Sequence, residues 1–222
     1  IVKREVTRLI TPGTISELEA LDPLAANYLA CALQDDSTAN RNALVMLDML
    51  AGEILCTNVG NHELLDELER MGVREILVDT PNAQRLRPLQ EFKQLALRLV
   101  NDQSNDGLLR KERICERFGD LQVKGREQIL DKTELAALDA LLDYVDKTQR
   151  RKLEYLSKPR AYRRQEFVIL DRCTRSNLEL LRTNAGDKRG SLFWHLNQTR
   201  TSMGARLLSH WMLFPLRDPK GI

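Results

Sequence analysis

Residues 28–79 leave this chain little choice of architecture. Three apolar runs, 28–33, 43–50 and 53–57, are separated by Asp35-Asp36-Ser37 and by Ala51-Gly52. Short β-compatible runs with tight polar breaks predict an antiparallel meander. A punctuated helix follows: Asn61 stands at the N-cap, Leu64, Leu65, Leu68 and Met71 share one face, and Gly72 suits the left-handed position past the end. Residues 74–79 then read as a strand, whose consecutive Ile76, Leu77 and Val78 need cover on both faces. A helical crossover of this kind is right-handed and returns the fourth strand parallel to the first. The prediction is an α/β sheet.

Beyond residue 80 the pattern loosens. In 89–100, Leu95, Leu97 and Leu99 alternate as in a strand, while Leu89, Phe92, Ala96 and Leu99 also fit a helix. Residues 108–118 read as a charged helix with Leu109, Ile114 and Phe118 inward and Gly119 at its end. The longest helix is predicted over 133–149. Asp131 and Glu134 form a capping-box-like pair at its start, and Leu135, Leu138, Leu142 and Val145 make its buried stripe. Residues 1–10 alternate well enough for a strand that Pro12-Gly13 ends, with nothing before it to pair with.

Between 147 and 164 the composition shifts. Lys147, Arg150, Arg151, Lys152, Lys158, Arg160, Arg163 and Arg164 gather around Pro159, with Tyr155 and Tyr162 interleaved, which marks a domain boundary. Such cations can lie on phosphates with the tyrosines stacking on bases. The preferred reading is a solvated linker whose cations pair with acidic helix ends beside it. After a short strand at 166–170 come three helices. Thr174 caps the first, with Leu178 and Leu181 on one face; Ser191 caps the second ahead of Leu192 and Leu196; Thr201 or Ser202 caps the third. Met203, Leu207, Leu208 and Trp211 form an apolar stripe on that third helix, and Pro215 stops it. Gly204 lies inside it at a cost of about 1 kcal/mol relative to Ala, so a close approach by another helix is expected there.

Thirty-four basic against 32 acidic residues leave a formal charge of +2, which argues against a dedicated polyanion-binding module; any nucleic-acid contact must be local. At 42% hydrophobic residues the chain can build a core and should be a soluble globular protein. Cys31, Cys56, Cys115 and Cys173 are far apart with no Cys-x-x-Cys pair, and His62, His195 and His210 lack ligand-like spacing, so reduced thiols and no metal site are expected. There is no membrane-spanning apolar run and no signal peptide, which implies an intracellular protein. Gly186-Asp187-Lys188-Arg189-Gly190-Ser191 has the residue types of a Walker A loop in the wrong order. A two-metal nuclease is the sharp alternative. It would place carboxylates on the first strand, the crossover helix and the fourth strand, for which Asp35 or Asp36, Glu63 or Glu67, and Asp79 are the candidates. Asp35 and Asp36 fall in a turn-like Asp-Asp-Ser instead of within the strand, and Asp48 within the second strand has no obvious partner, so a non-catalytic chain is preferred.

The C-terminal helices carry a resemblance. Leu-Asp-x-x-Thr-x-x-Asn-Leu-Glu-Leu at 170–180, Gly-Ser-Leu at 190–192 and Thr-x-Met-Gly-x-Arg-Leu-Leu-x-x-Trp at 201–211, followed by Pro215-Leu216, look like the start of the lever domain of the MutS family of DNA mismatch repair proteins. Lys3-Arg4-Glu5-Val6 with Thr11-Pro12-Gly13-Thr14 resembles that family's exit from its mismatch-recognition domain. Tyr144 with Lys147-Thr148-Gln149-Arg150 and Leu153 resembles the end of its connector domain. The resemblance implies three parts: a remnant linker at 1–12, an RNase H-like connector with a mixed five-stranded sheet at 13–149, and the start of an all-α lever domain at 150–222. It also favours a fifth strand near 94–100. The family's Phe-x-Glu mismatch reader and its ATPase motifs are absent from this sequence, so ATP and magnesium belong to the parent family and no cofactor is expected here. Implied partners are mismatched double-stranded DNA and MutL through the full-length protein, with a homodimer, in the cytoplasm. The family's connector meets MutL through a helix in the 108–118 region, which points to Arg110, Lys111, Glu112, Arg113, Glu116 and Arg117 as an exposed binding face. Arg150, Arg151, Lys152, Arg163 and Arg164 are the candidate phosphate contacts.

Overall fold

A computed structural model describes residues 9–14, 27–93, 95–100, 107–119, 130–150 and 152–218. The meander forms as the apolar runs demand: β1 (Tyr28–Asp35) pairs antiparallel with β2 (Thr38–Asp48), and β2 with β3 (Glu53–Gly60). β2 starts five residues earlier than its apolar run, because Asp35 turns the chain by accepting from the Ser37 N–H and hydroxyl. The polar Thr38-Ala39-Asn40-Arg41 stretch can then pair at once. α1 (Leu64–Met71) leads to β4 (Val73–Val78), which lies parallel to β1. Gly72 has the expected left-handed φ of 70°. Asn61 is not a cap. Its side-chain oxygen accepts from Asn42 and Arg85 and its amide donates to the Ala39 carbonyl, so it ties loops together in place of α1's first turn.

The ambiguous stretch resolves into both elements. α2 (Thr80–Lys93) takes its first part, started by Asp79, whose carboxylate accepts from the Asn82 N–H; β5 (Ala96–Leu99) takes the rest and pairs parallel with β4. After α3 (Gly107–Phe118) and α4 (Lys132–Gln149), a two-residue β6 (Arg160–Ala161) adds to β3, so the sheet has six strands in the order β5-β4-β1-β2-β3-β6. β1 is buried on both faces: Leu29, Cys31 and Leu33 share a cluster with Leu138, Leu141 and Val145 of α4, while Ala30 and Ala32 face the opposite side without exposure. The Asp131–Glu134 capping box closes in both directions, at 2.8 and 3.0 Å.

The described residues within 9–14, 27–65 and 73–162 form one compact unit, and those within 66–72 and 163–218 form a second. The expected 166–170 strand is replaced by a 3-10 turn, Arg164–Glu166, and a single antiparallel bridge between Phe167 and Leu216. Pro215 accepts from Val168 but has no N–H with which to extend a ladder. α5 (Arg172–Asn177) is capped by Asp171, not Thr174: the carboxylate accepts from the Thr174 N–H at 2.6 Å. Ser191 caps α6 (Leu192–Leu196) and Thr201 caps α7 (Ser202–Leu213). A Cβ on Gly204 would meet Thr199 Cβ at 3.3 Å, so the crowding there comes from the chain's own preceding loop and no second helix.

Candidate interaction surfaces

α3 is amphipathic in an unexpected sense. Its inward row is Arg110, Ile114 and Phe118, spaced by four, and Leu109 is more than half exposed. Three arginines on this helix reach carboxylates on α4: Arg110 and Arg113 converge on Asp139 at 3.9 and 2.5 Å, and Arg117 takes Asp146 at 2.9 Å and the Leu153 carbonyl at 3.0 Å. Long aliphatic stems let these side chains lie on apolar surface while their heads find partners. Arg110 is therefore a buried strut, Arg117 is half-buried, and Arg113 is exposed but held. Lys111, Glu112 and Glu116 remain on the outer face, beside exposed Leu108 and Leu109. Charge alone does not turn these side chains to solvent, because the acidic row on α4 opposite draws Arg110, Arg113 and Arg117 onto the fold.

The basic stretch is largely used internally. Lys147 pairs with Asp143, Arg160 with Glu53 and Arg163 with Glu166. Arg164 is no surface cation: its guanidinium forms an ion pair with Glu67 at 2.8 Å, with 17% of its side chain exposed. Glu67 also receives Arg70, whose guanidinium lies 4.8 Å over the Phe214 ring, and His210 stacks on that ring from 4.4 Å. Arg175 belongs to this charge cluster; burial and then the nearby Arg70 lower its pKa. Tyr155 is half exposed with its hydroxyl donating to the Met49 carbonyl, and Tyr162 is buried and offers no stacking platform. Arg150, in a left-handed C-cap conformation at φ 56°, and Lys152 are exposed, while Arg151 lies outside the described residues.

Of the carboxylates of the nuclease alternative, Asp35, Glu63, Glu67 and Asp79 are dispersed and occupied, and Asp36 is exposed. Asp35 bonds Ser37, which holds its pKa below the usual value, and Glu63 accepts from the Gly60 N–H. Glu67 is in the ion-pair cluster above, and Asp79 accepts from the Gln34 and Asn82 N–H groups. Asp48 holds the β2–β3 turn through the Leu50 and Ala51 N–H groups. Among the described residues no group of three His, Cys, Asp or Glu side chains could hold a metal ion, and no helix is long and apolar enough to cross a membrane. One buried carboxylate, Glu75, had no place in the sequence reading, although it had a signal, an acid inside the apolar strand Val-Arg-Glu-Ile-Leu-Val.

Residues 27–158, which hold all of the sheet except β6, match the family model described as MutS domain II. The chain belongs to the MutS family. Residues 173–222, which hold α6, α7 and all of α5 but its first residue, match MutS domain III. The chain is 35% identical over 221 residues to the DNA mismatch repair protein MutS of Ruegeria pomeroyi, an overlap covering 98% of this chain and 24% of that protein. It is 36% identical to the protein of the same name from Thermosynechococcus vestitus (98% and 26%) and 37% identical to that from Synechococcus elongatus (100% and 26%). The chain thus spans about a quarter of the length of these curated relatives. Within this MutS frame the α3–α4 clamp and Lys152 fall in domain II, whereas Arg163 and Arg164 lie between the two matches.

Proposed function

We propose that this chain is a non-catalytic connecting part of a DNA mismatch repair protein, joining mismatch recognition to the lever and ATPase parts and presenting a surface to MutL. The observation that carries the reading is the succession of MutS domains II and III along one chain. The dispersal of Asp35, Glu63, Glu67 and Asp79 into turns and ion pairs supports the absence of metal chemistry. On this reading ATP and magnesium act elsewhere in the full-length protein, which binds mismatched duplex, forms a homodimer and resides in the cytoplasm. Among the described residues of the basic stretch, Arg150, Lys152 and Lys158 are exposed cations placed to meet phosphates, each as a local, salt-sensitive contact.

The MutL-facing surface is the outer side of α3: Leu108, Leu109, Lys111, Glu112 and Glu116, with Arg113 at its margin. In the full-length protein, Lys111→Glu combined with Glu112→Lys and Glu116→Lys should weaken MutL recruitment in a pull-down while mismatch binding is unchanged. These side chains are exposed, so the fold should tolerate the swap, and unchanged recruitment refutes this surface. Metal-dependent cleavage of DNA or RNA–DNA hybrid by this chain, abolished in Asp79→Asn, would overturn the non-catalytic reading.

A further inference from the structure

Glu75, on β4, has no solvent exposure, yet carries a carboxylate. A buried carboxylate is tolerated only when donors satisfy it. Four do, two on each oxygen. Oε2 accepts from the Thr11 hydroxyl at 2.5 Å and the Gly13 N–H at 2.9 Å; Oε1 accepts from the Tyr144 hydroxyl at 2.7 Å and Arg98 Nε at 3.3 Å. That fills the lone-pair capacity of a carboxylate. The donors come from the 9–14 segment, from α4 and from β5, so one side chain joins three parts of the chain.

Among the described residues the 9–14 segment has few other ties, one being the Tyr144 hydroxyl, which also meets Thr11. Leu9 and Ile10 are 49% and 61% exposed, so apolar burial contributes little, and the remaining backbone tie to α4 is Leu9 N–H to the Thr148 carbonyl at 2.7 Å. Thr11 and Thr14 bond each other and shape the turn. The turn is fitted closely to the acid. A Cβ on Gly13 would stand 2.7 Å from Glu75 Cβ and 3.0 Å from Leu29 Cδ1, an approach that only glycine permits.

The geometry points to Glu75 as a clasp: it fastens the 9–14 segment to the sheet unit, and its loss releases that segment while the sheet stays folded. The two oxygens of Glu75 divide the labour, one holding the segment and one fixed by Tyr144 and Arg98. Ile76, Leu77 and Val78 keep β4 in register with β1 and β5 whatever happens at Glu75.

Amide hydrogen exchange of the 222-residue chain, read residue by residue by NMR, tests this. In Glu75→Gln, the Arg98 cation should keep the amide oxygen on its side and turn the NH2 toward Thr11 and Gly13. The Thr11 hydroxyl can rotate to accept; the Gly13 N–H cannot. Gly13 and Leu9 should then exchange at least about tenfold faster than in the parent chain, with β1 to β3 unchanged. Tyr144→Phe, which removes a donor from the other oxygen, should accelerate Gly13 less than Glu75→Gln does. Unchanged Gly13 exchange in a folded Glu75→Gln chain overturns the clasp, as does equal release by Tyr144→Phe. If Glu75→Gln loses strand protection, Thr11→Val decides: faster Leu9 and Gly13 exchange with the sheet intact supports the clasp, and no change overturns it.

Discussion

The two units bury their apolar residues on opposite terms. In the sheet unit Leu29, Leu44, Val45, Met46, Leu47 and Ile54 have no exposure at all. In the helical unit Met203, Leu207 and Trp211, the larger part of α7's stripe, are 77%, 49% and 62% exposed, while the helix buries Ala205 and Ser209. Both regions show clean periodicity in sequence. The comparison teaches that periodicity reports what an element is able to cover, and says nothing of whether the covering element is at hand. An exposed large side chain forgoes about 1.5–3 kcal/mol relative to burial, so α7 carries a stripe whose stabilisation is unclaimed among the described residues.

Core truncation should break this comparison most forcefully. Leu47→Ala removes a fully buried side chain between packed layers and should cost about 2–5 kcal/mol in urea unfolding. Leu207→Ala, at a half-exposed site, should change stability by no more than about 0.5 kcal/mol. Equal losses would mean that α7's stripe is covered in solution, and the contrast between the units would fail.

A smaller effect compares caps. Asp131→Ala removes the side-chain half of α4's capping box, the carboxylate that accepts from the Glu134 N–H, and should cost about 1 kcal/mol of the sheet unit's stability, because α4 is packed on β1 and β2. Thr201→Ala removes the same kind of bond, Thr201 Oγ1 to the Gly204 N–H at 3.1 Å. It should lower protection of α7's first amides in hydrogen exchange and leave the urea midpoint of the sheet unit unmoved. A shifted sheet midpoint in Thr201→Ala would show that the two units unfold as one.

What was legible in the sequence follows from range. The meander, α4 with its box, and the Ser191 and Thr201 caps are written within a few residues, and the structure contains them. α2 was hidden because Pro81 and Pro88 punctuate a segment with weak apolar periodicity, although Asp79 was a usable start signal. β6 is two residues long and exists only through its pairing with β3, which no local pattern announces. The candidate surface was half legible. Lys111, Glu112 and Glu116 do face outward, but Arg110 and Arg164 were misplaced because their partners, Asp139 and Glu67, are distant in sequence. Arginine at a boundary looks the same whether it awaits a phosphate or already holds a carboxylate.

The finest contrast is between two acids that make the same kind of bond in different units, Asp35 half-buried and Asp171 exposed. Asp171 caps α5 in the helical unit and its pKa lies below the ordinary 3.8, chiefly through the Thr174 N–H. Asp35 closes the β1–β2 turn in the sheet unit and is lowered from the same value, chiefly through Ser37. In both, the ionised form is the bonded one. The stabilisation is therefore fully present above 3.8 and is lost as pH falls through the lower folded value. The consequences should differ. The β1–β2 turn is also held by the paired register from Tyr28↔Asp48 to Gln34↔Asn42, so protonating Asp35 should leave the strands' amides protected. α5 has six residues and none of them is buried, so protonating Asp171 removes the main tie on its first turn. Carboxyl titration by NMR should place both midpoints below 3.8, and exchange at Thr174 should accelerate relative to its intrinsic rate through the Asp171 midpoint while β1 and β2 hold. Persistent Thr174 protection below that midpoint would show that α5 is held by packing, and the helical unit would then resemble the sheet unit more closely than its exposed stripe suggests.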